Sequence, residues 1–269
     1  MKFLSKFYIG LIFLILYAPI LVVVLFSFNS SGSLSSFSGF SFYWYRELFR
    51  DGEALDALKN SLILAVSSSL LATFLGTLAA FGIARAKSKR YQRMMEGVSN
   101  IPMMNPDIVT GVSMMLLFVG VGAILGLSDT LGLWTMLMAH TTFNLPYVIL
   151  SVLPKFRQMD KSLTEAALDL GCTPAQTFFR VELPYIMPGV VSGLMMSFTL
   201  SLDDFVISHF VSSPDFQTLP LYIYNQTAHD VKYSMYALCT LIIVTILVLL
   251  LAVNFAGGIG KGKRKEGVK

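Results

Sequence analysis

Residues 7–28 run for 22 positions without a charged side chain, and no water-facing fold can hide such a run on one helix face or one strand. A helix of about 20 apolar residues crosses a hydrocarbon core of about 30 Å. In lipid the backbone must satisfy its own hydrogen bonds, which makes the helix the default. Five further stretches, 61–84, 108–127, 131–154, 186–210 and 235–259, approach or reach the same length. Only the fifth contains acidic residues, Asp203 and Asp204. The pattern predicts an all-α, polytopic membrane protein of six transmembrane helices, a single transmembrane domain over 1–269. Apolar residues at 55% against 13% charged exclude an ordinary soluble surface.

The first run follows Lys2 and Lys6 and could pass for a secretion signal. It is too long for an h-region and no A-x-A site follows, so it reads as a retained helix. Sixteen of the twenty Lys and Arg residues fall at the N-terminus, at Arg85–Arg93, at 155–180 and in the tail from Lys261 to Lys269. Arg46, Arg50, Lys59 and Lys232 lie in the other connections. By the positive-inside rule both termini are cytoplasmic and the helix count is even. Basic clusters placed between apolar runs orient a membrane protein, and nucleic acid is not an expected partner.

Small residues recur at helical spacing in Ala72, Gly76, Ala80 and Ala84, and again in Gly122 and Gly126. Both patterns suit close helix approach. The outer segment 29–60 contains Phe42-Tyr43-Trp44-Tyr45, an interfacial anchor or a docking surface. Cys172 and Cys239 show no pairing pattern, and His140, His209 and His229 form no metal-binding cluster. His140, beside Thr141, Thr142 and Asn144, suits interhelical hydrogen bonding better than a ligand role. Asp107, after Pro106, suits a helix N-terminus, with substrate exit as the other reading. No cofactor is expected, and 257–264 lacks the Ser or Thr and the preceding strand of a phosphate loop.

Segment 155–185 is the most informative polar stretch. Ser162-Leu163-Thr164-Glu165 matches a capping box and Gly171 a left-handed C-terminal cap. Thr173-Pro174-Ala175-Gln176 repeats the device. Pro184 is expected to close the second short helix and Pro188 to open the fifth span. Leu163, Ala166, Ala167 and Leu170 form an apolar stripe on a helix too short to be stable alone.

Glu165-Ala166-Ala167-Leu168-Asp169-Leu170-Gly171, with Val181-Glu182-Leu183-Pro184 following, resembles the EAA loop of permease subunits in binding-protein-dependent ABC importers. The resemblance implies the type I importer permease fold in the plasma (inner) membrane, a companion permease, an ATPase dimer below and an extracytoplasmic binding protein above. It implies that this loop docks on the ATPase, Glu165 serving as cap or as contact. It also implies that the chain itself is no enzyme. More narrowly, Ser197 to Asp204, Asn105 to Val109 and Leu219 to Tyr224 resemble the second permease of spermidine/putrescine importers, with another organic cation or metal-type solute as the alternative. An ion-coupled carrier would need internal repeats that the sequence does not show.

Asp203 and Asp204 are the expected acidic part of the substrate path. Asp203 lies about 26 Å along a helix begun at Ile186, and a carboxylate buried there costs on the order of 2–3 kcal/mol. A wet cavity and a polycation would offset that cost. The pair points about 100° apart on a helix, so one faces the cavity while the other caps or packs. The other reading ends the span near Leu202. A reporter active only in the cytoplasm, fused after Lys269, should be active; an external tail would overturn the topology.

Overall fold

The computed structural model describes residues 2–31, 36–127, 130–229 and 233–262. Lys232, Lys263, Arg264, Lys265 and Lys269, used above to orient the chain, lie outside them. The described residues form helices α1 (Lys2–Ser27), α2 (Tyr43–Leu48), α3 (Gly52–Arg85), α4 (Lys89–Met104), α5 (Asp107–Leu125) and α6 (Leu133–Gln158). There follow α7 (Lys161–Asp169), α8 (Pro174–Thr177), α9 (Leu183–Asp203), α10 (Val206–Val211), α11 (Leu219–His229) and α12 (Ser234–Gly262). Five helical stretches are long and apolar enough to cross a membrane. The 29-residue α12 accounts for the sixth predicted span.

Two compact units divide the chain, one of residues 1–55 and 223–269, the other of 56–222. In the first, α1 and α2 pack on α12. Phe28 stacks on Phe40 at 4.8 Å and meets Tyr45 at 5.2 Å. The Trp44 indole N–H donates to the Asn29 carbonyl at 2.8 Å. The predicted aromatic anchor is therefore divided: Trp44 and Tyr45 are tied inward, whereas Phe42 and Tyr43 are exposed.

In the second unit α6 and α9 form the central pair. Their approach is set by residues at every fourth position of α9, Gly189, Gly193, Ser197 and Ser201, all buried. A Cβ on Gly189 would lie 2.7 Å from the Ser151 carbonyl oxygen, and one on Gly193 3.3 Å from Val148 Cα. The predicted small-residue face of α3 packs here too: Ala72 and Ala80 are buried with Val148 and Val152, and a Cβ on Gly76 would meet Val148 at 2.7 Å.

Several expectations fail for definable reasons. The helix that contains the predicted span 61–84 is α3, which starts already at Gly52, where the Asp51 carboxylate accepts from the Ala54 N–H at 3.2 Å. The connection after Arg85 contains α4, whose N-terminus is capped by Ser88. Gly122 and Gly126 are not a helix-packing face. Gly126 takes φ +70° as the left-handed end of α5, Leu127 N–H bonds the Gly122 carbonyl, and Gly122 abuts the Thr130 side chain.

The short second helix of the polar loop does not close at Pro184, nor does a new one open at Pro188. α8 runs through a wide five-residue π turn, Phe178–Glu182, into α9. There Leu183 N–H bonds the Phe178 carbonyl, a register shift that accommodates the missing proline donor at 184. The single span predicted over 186–210 is two helices, broken at Asp204, which takes ψ 122°.

Gly189→Ala should therefore destabilise the protein by about 1–3 kcal/mol, lowering Tm in detergent by about 3 °C or more. Gly82→Ala, with nothing within 4 Å of its Cβ position, should be neutral or stabilising. Equal melting of the two variants would contradict this packing.

Candidate functional sites

One candidate site is built on α7. Its cap is Asp160, whose carboxylate accepts from the Ser162 N–H at 3.0 Å. The box expected at Ser162 and Glu165 does not form, because a better acceptor lies two residues upstream. That hydrogen bond, with a second from the Ser162 side chain, holds the Asp160 carboxyl below the usual carboxylate range.

The far end of α7 behaves as expected. Gly171 adopts φ +85°, its N–H bonds the Leu168 carbonyl at 2.9 Å, and Cys172 N–H bonds the Ala167 carbonyl at 3.1 Å. These two bonds make a Schellman motif, which tolerates a side chain poorly at the left-handed residue. Thr173 and Gln176 then exchange both bonds of a capping box, at 2.9 and 3.3 Å. Of the residues singled out on this loop, Ala167 is buried, whereas Glu165, Ala166, Leu168 and Asp169 are exposed. Leu183 packs on the core of the second unit, and Pro184 is exposed. The two leucines of the apolar stripe, Leu163 at 44% and Leu170 at 86% exposure, are uncovered, while its Ala167 is buried.

Beneath α7 lies a cavity of about 600 Å³ bounded by Arg85, Lys87, Lys89, Arg157, Lys161, Thr164, Glu165 and Glu182. Glu182 is buried and pairs with Arg85. Thr164 Oγ1 donates to the same carboxylate at 3.2 Å. Arg157 pairs with Glu96 of α4.

The second candidate site surrounds the break between α9 and α10. The Asp204 carboxylate accepts from the Ser208 N–H at 2.8 Å and the Ile207 N–H at 3.3 Å, capping α10. It also lies 3.6 Å from His140 Nε2. Asp203, one residue earlier, is exposed. The two carboxylates therefore differ in setting: Asp204, in extended backbone beyond α9, turns inward, and Asp203 is exposed.

Ser201 is the hub of the polar cluster. Its hydroxyl lies 3.1 Å from His140 Nδ1, 2.8 Å from Ser68 Oγ and 2.8 Å from Asn144 Nδ2. A hydroxyl offers one donor and two acceptor sites, so the set closes when Asn144 and Ser68 donate to Ser201 and Ser201 donates to Nδ1. The remaining imidazole N–H then faces Ser208 Oγ at 3.2 Å and Asp204. His140 is thus an interhelical hydrogen-bonding residue. Among the described residues no group of His, Cys, Asp or Glu could hold a metal ion. Ser68 and Ser208 escaped the sequence reading, and Ser201 entered it only within the stretch Ser197 to Asp204, although the spacing of Gly189, Gly193, Ser197 and Ser201 carried the signal for its buried position.

A family model described as "Binding-protein-dependent transport system inner membrane component" matches residues 72–257. The chain belongs to this family. As an inner-membrane transport component it is 40% identical over 231 residues to the Escherichia coli "Putrescine transport system permease protein PotI", covering 86% of this chain and 82% of that one. It is 38% identical to the Haemophilus influenzae "Spermidine/putrescine transport system permease protein PotC", over 92% and 93% of the two chains. Among solved structures, a bacterial ABC transporter importing alginate superposes with TM-score 0.74 at 17% identity, over 100% of this permease and 96% of that chain. The MetNI methionine ABC transporter gives 0.56 at 19%, over 77% and 96%. These two establish the fold.

Ser201→Ala should strip partners from three buried groups of this permease and cost about 1–3 kcal/mol, read as a fall in Tm. Thr142→Ala removes only an exposed bond to its own helix and should melt like the parent. A Ser201→Ala variant as stable as Thr142→Ala would dissolve the assigned network.

Proposed function

We propose that this chain is the permease subunit of an ATP-driven importer that carries a polyamine, spermidine or putrescine, into the cytoplasm. The observation that carries this reading is that relatives aligned over most of both chains are putrescine and spermidine/putrescine permeases. Its partners in this reading are an ATPase dimer, a second permease and an extracytoplasmic binding protein. The chain acts as one permease domain with both termini in the cytoplasm, which places α7 beside the ATPase.

The exposed leucines of α7 give the ATPase an apolar surface, and the Schellman end at Gly171 fixes the angle at which α7 meets α8. Because α8 continues without interruption into α9, a displacement of α7 is delivered to a membrane helix. Substrate gains on the outside and loses on the inside only if the two states bind it differently. Asp203 supplies the charge for such a difference. It is exposed at the outer end of α9, where a carboxylate attracts a descending polycation. Asp204 serves the same path indirectly by holding the bend that presents Asp203.

In complexes that still assemble with the ATPase, Asp203→Asn should lower polyamine uptake about tenfold, and Asp204→Asn should lower both uptake and Tm. Wild-type uptake and substrate-stimulated ATP hydrolysis in both would remove the acidic pair from the path. Gly171→Val and Ala167→Asp should abolish transport and reduce co-purification of the ATPase. Intact transport and co-purification in both would remove the coupling role from this loop.

A further inference from the structure

Glu182 has 1% of its side chain exposed and belongs to the Val181–Pro184 stretch of the loop motif, to which no role has been given above. It occupies the last position of the π turn between α8 and α9. One of its oxygens, Oε1, takes both the guanidinium of Arg85 and the hydroxyl of Thr164. Arg85 is the last residue of α3, Thr164 belongs to α7, and Glu182 leads into α9. Three elements therefore meet on one oxygen atom.

The pair is also positioned from the side. The Arg85 guanidinium lies over the Phe81 ring, 4.8 Å from its centroid, and Phe81 contacts Phe178 at 4.9 Å, the first residue of the same turn. The second carboxylate oxygen of Glu182 is buried without a hydrogen-bond partner among the described residues. A half-satisfied buried carboxylate tolerates rearrangement better than a saturated one, because an alternative arrangement can gain the missing bond. π turns are likewise local register shifts that recur where helices must adjust.

We propose that Arg85, Thr164 and Glu182 form a clamp that transmits movement of α7 to α3 and α9 together, so that two membrane helices respond as one. These are positioning residues, acting through α7, and the inference rests on α7 being the docking helix. Without the clamp α7 still docks through its exposed face and still drags α8, but α3 is no longer bound to it. ATP is then hydrolysed without a matching movement of the membrane helices. Loss of the Arg85 charge uncouples, and a lysine in its place retains part of the function because it can still reach the carboxylate as a point charge.

The test uses the full complex of this permease, its companion permease and the ATPase in proteoliposomes with the loaded binding protein, and reads solute imported per ATP hydrolysed. Arg85→Gln and Glu182→Gln should each lower that ratio about fivefold or more while ATP hydrolysis continues, and Arg85→Lys should recover at least half of the Arg85→Gln loss. Unchanged ratios in both glutamine variants, or Arg85→Lys no better than Arg85→Gln, would overturn the clamp. So would failure of both glutamine variants to assemble, since the pair would then serve folding alone. If Glu182→Gln alone fails to assemble, the Arg85 series decides, its side chain being 41% exposed and tolerant of change. A wild-type complex that imports no polyamine would instead count against the substrate assignment, and the ratio can be read with whichever solute it does import.

Discussion

The close crossing of α6 and α9 is the contact on which the second unit depends. Between lipid-solvated helices there is little hydrophobic gain, so packing distance decides whether two helices hold together. Gly189 and Gly193 let α9 approach α6 until its backbone meets Ser151 and Val148. Ser197 and Ser201 continue the same face, which brings Ser201 within hydrogen-bonding reach of His140 and Asn144. A larger residue at either glycine would separate the helices and dissolve the polar cluster at one end of α9. It would also displace Glu182 and the α7 contacts at the other.

Asp204 solves a second problem. A helix that ends inside an apolar environment leaves N–H and C=O groups without partners. Here the break is made by a residue whose own carboxylate takes up two N–H groups of α10 and lies 3.6 Å from the imidazole of His140. The outward-turned neighbour, Asp203, is thereby held on the exposed side of the bend. The capping residue and the exposed one are adjacent and of one type, which is why the dipeptide alone could not tell them apart.

The six apolar runs were legible because spans in lipid need length and apolarity and little else. Gly171 and the Thr173–Gln176 box were legible because each depends on residues within one helical turn. What failed depended on competition or on distance. Ser162 fits a cap motif, yet Asp160 reaches the helix first. Pro184 looks like a terminator, but a π turn absorbs its missing donor. Val206, Ile207, Phe210 and Val211 continue the apolar character of the fifth span, which favours an unbroken helix over the reading that ends it near Leu202; α9 in fact ends at Asp203. Gly122 and Gly126 match a packing motif while serving a helix end. Glu182 stood in sequence only as part of the loop motif, and its pairing was invisible because its partners lie 97 and 18 residues away.

The proposed function requires binding-protein engagement, ATP hydrolysis and polyamine movement to be one coupled process through this permease. Proteoliposomes containing the chain, its companion permease and the ATPase should be assayed for ATP hydrolysis and labelled polyamine uptake, with and without the loaded binding protein. Both activities should be low without it and rise together when it is added. Uptake that needs no ATP, or ATP hydrolysis that proceeds at full rate without the binding protein, would contradict the account.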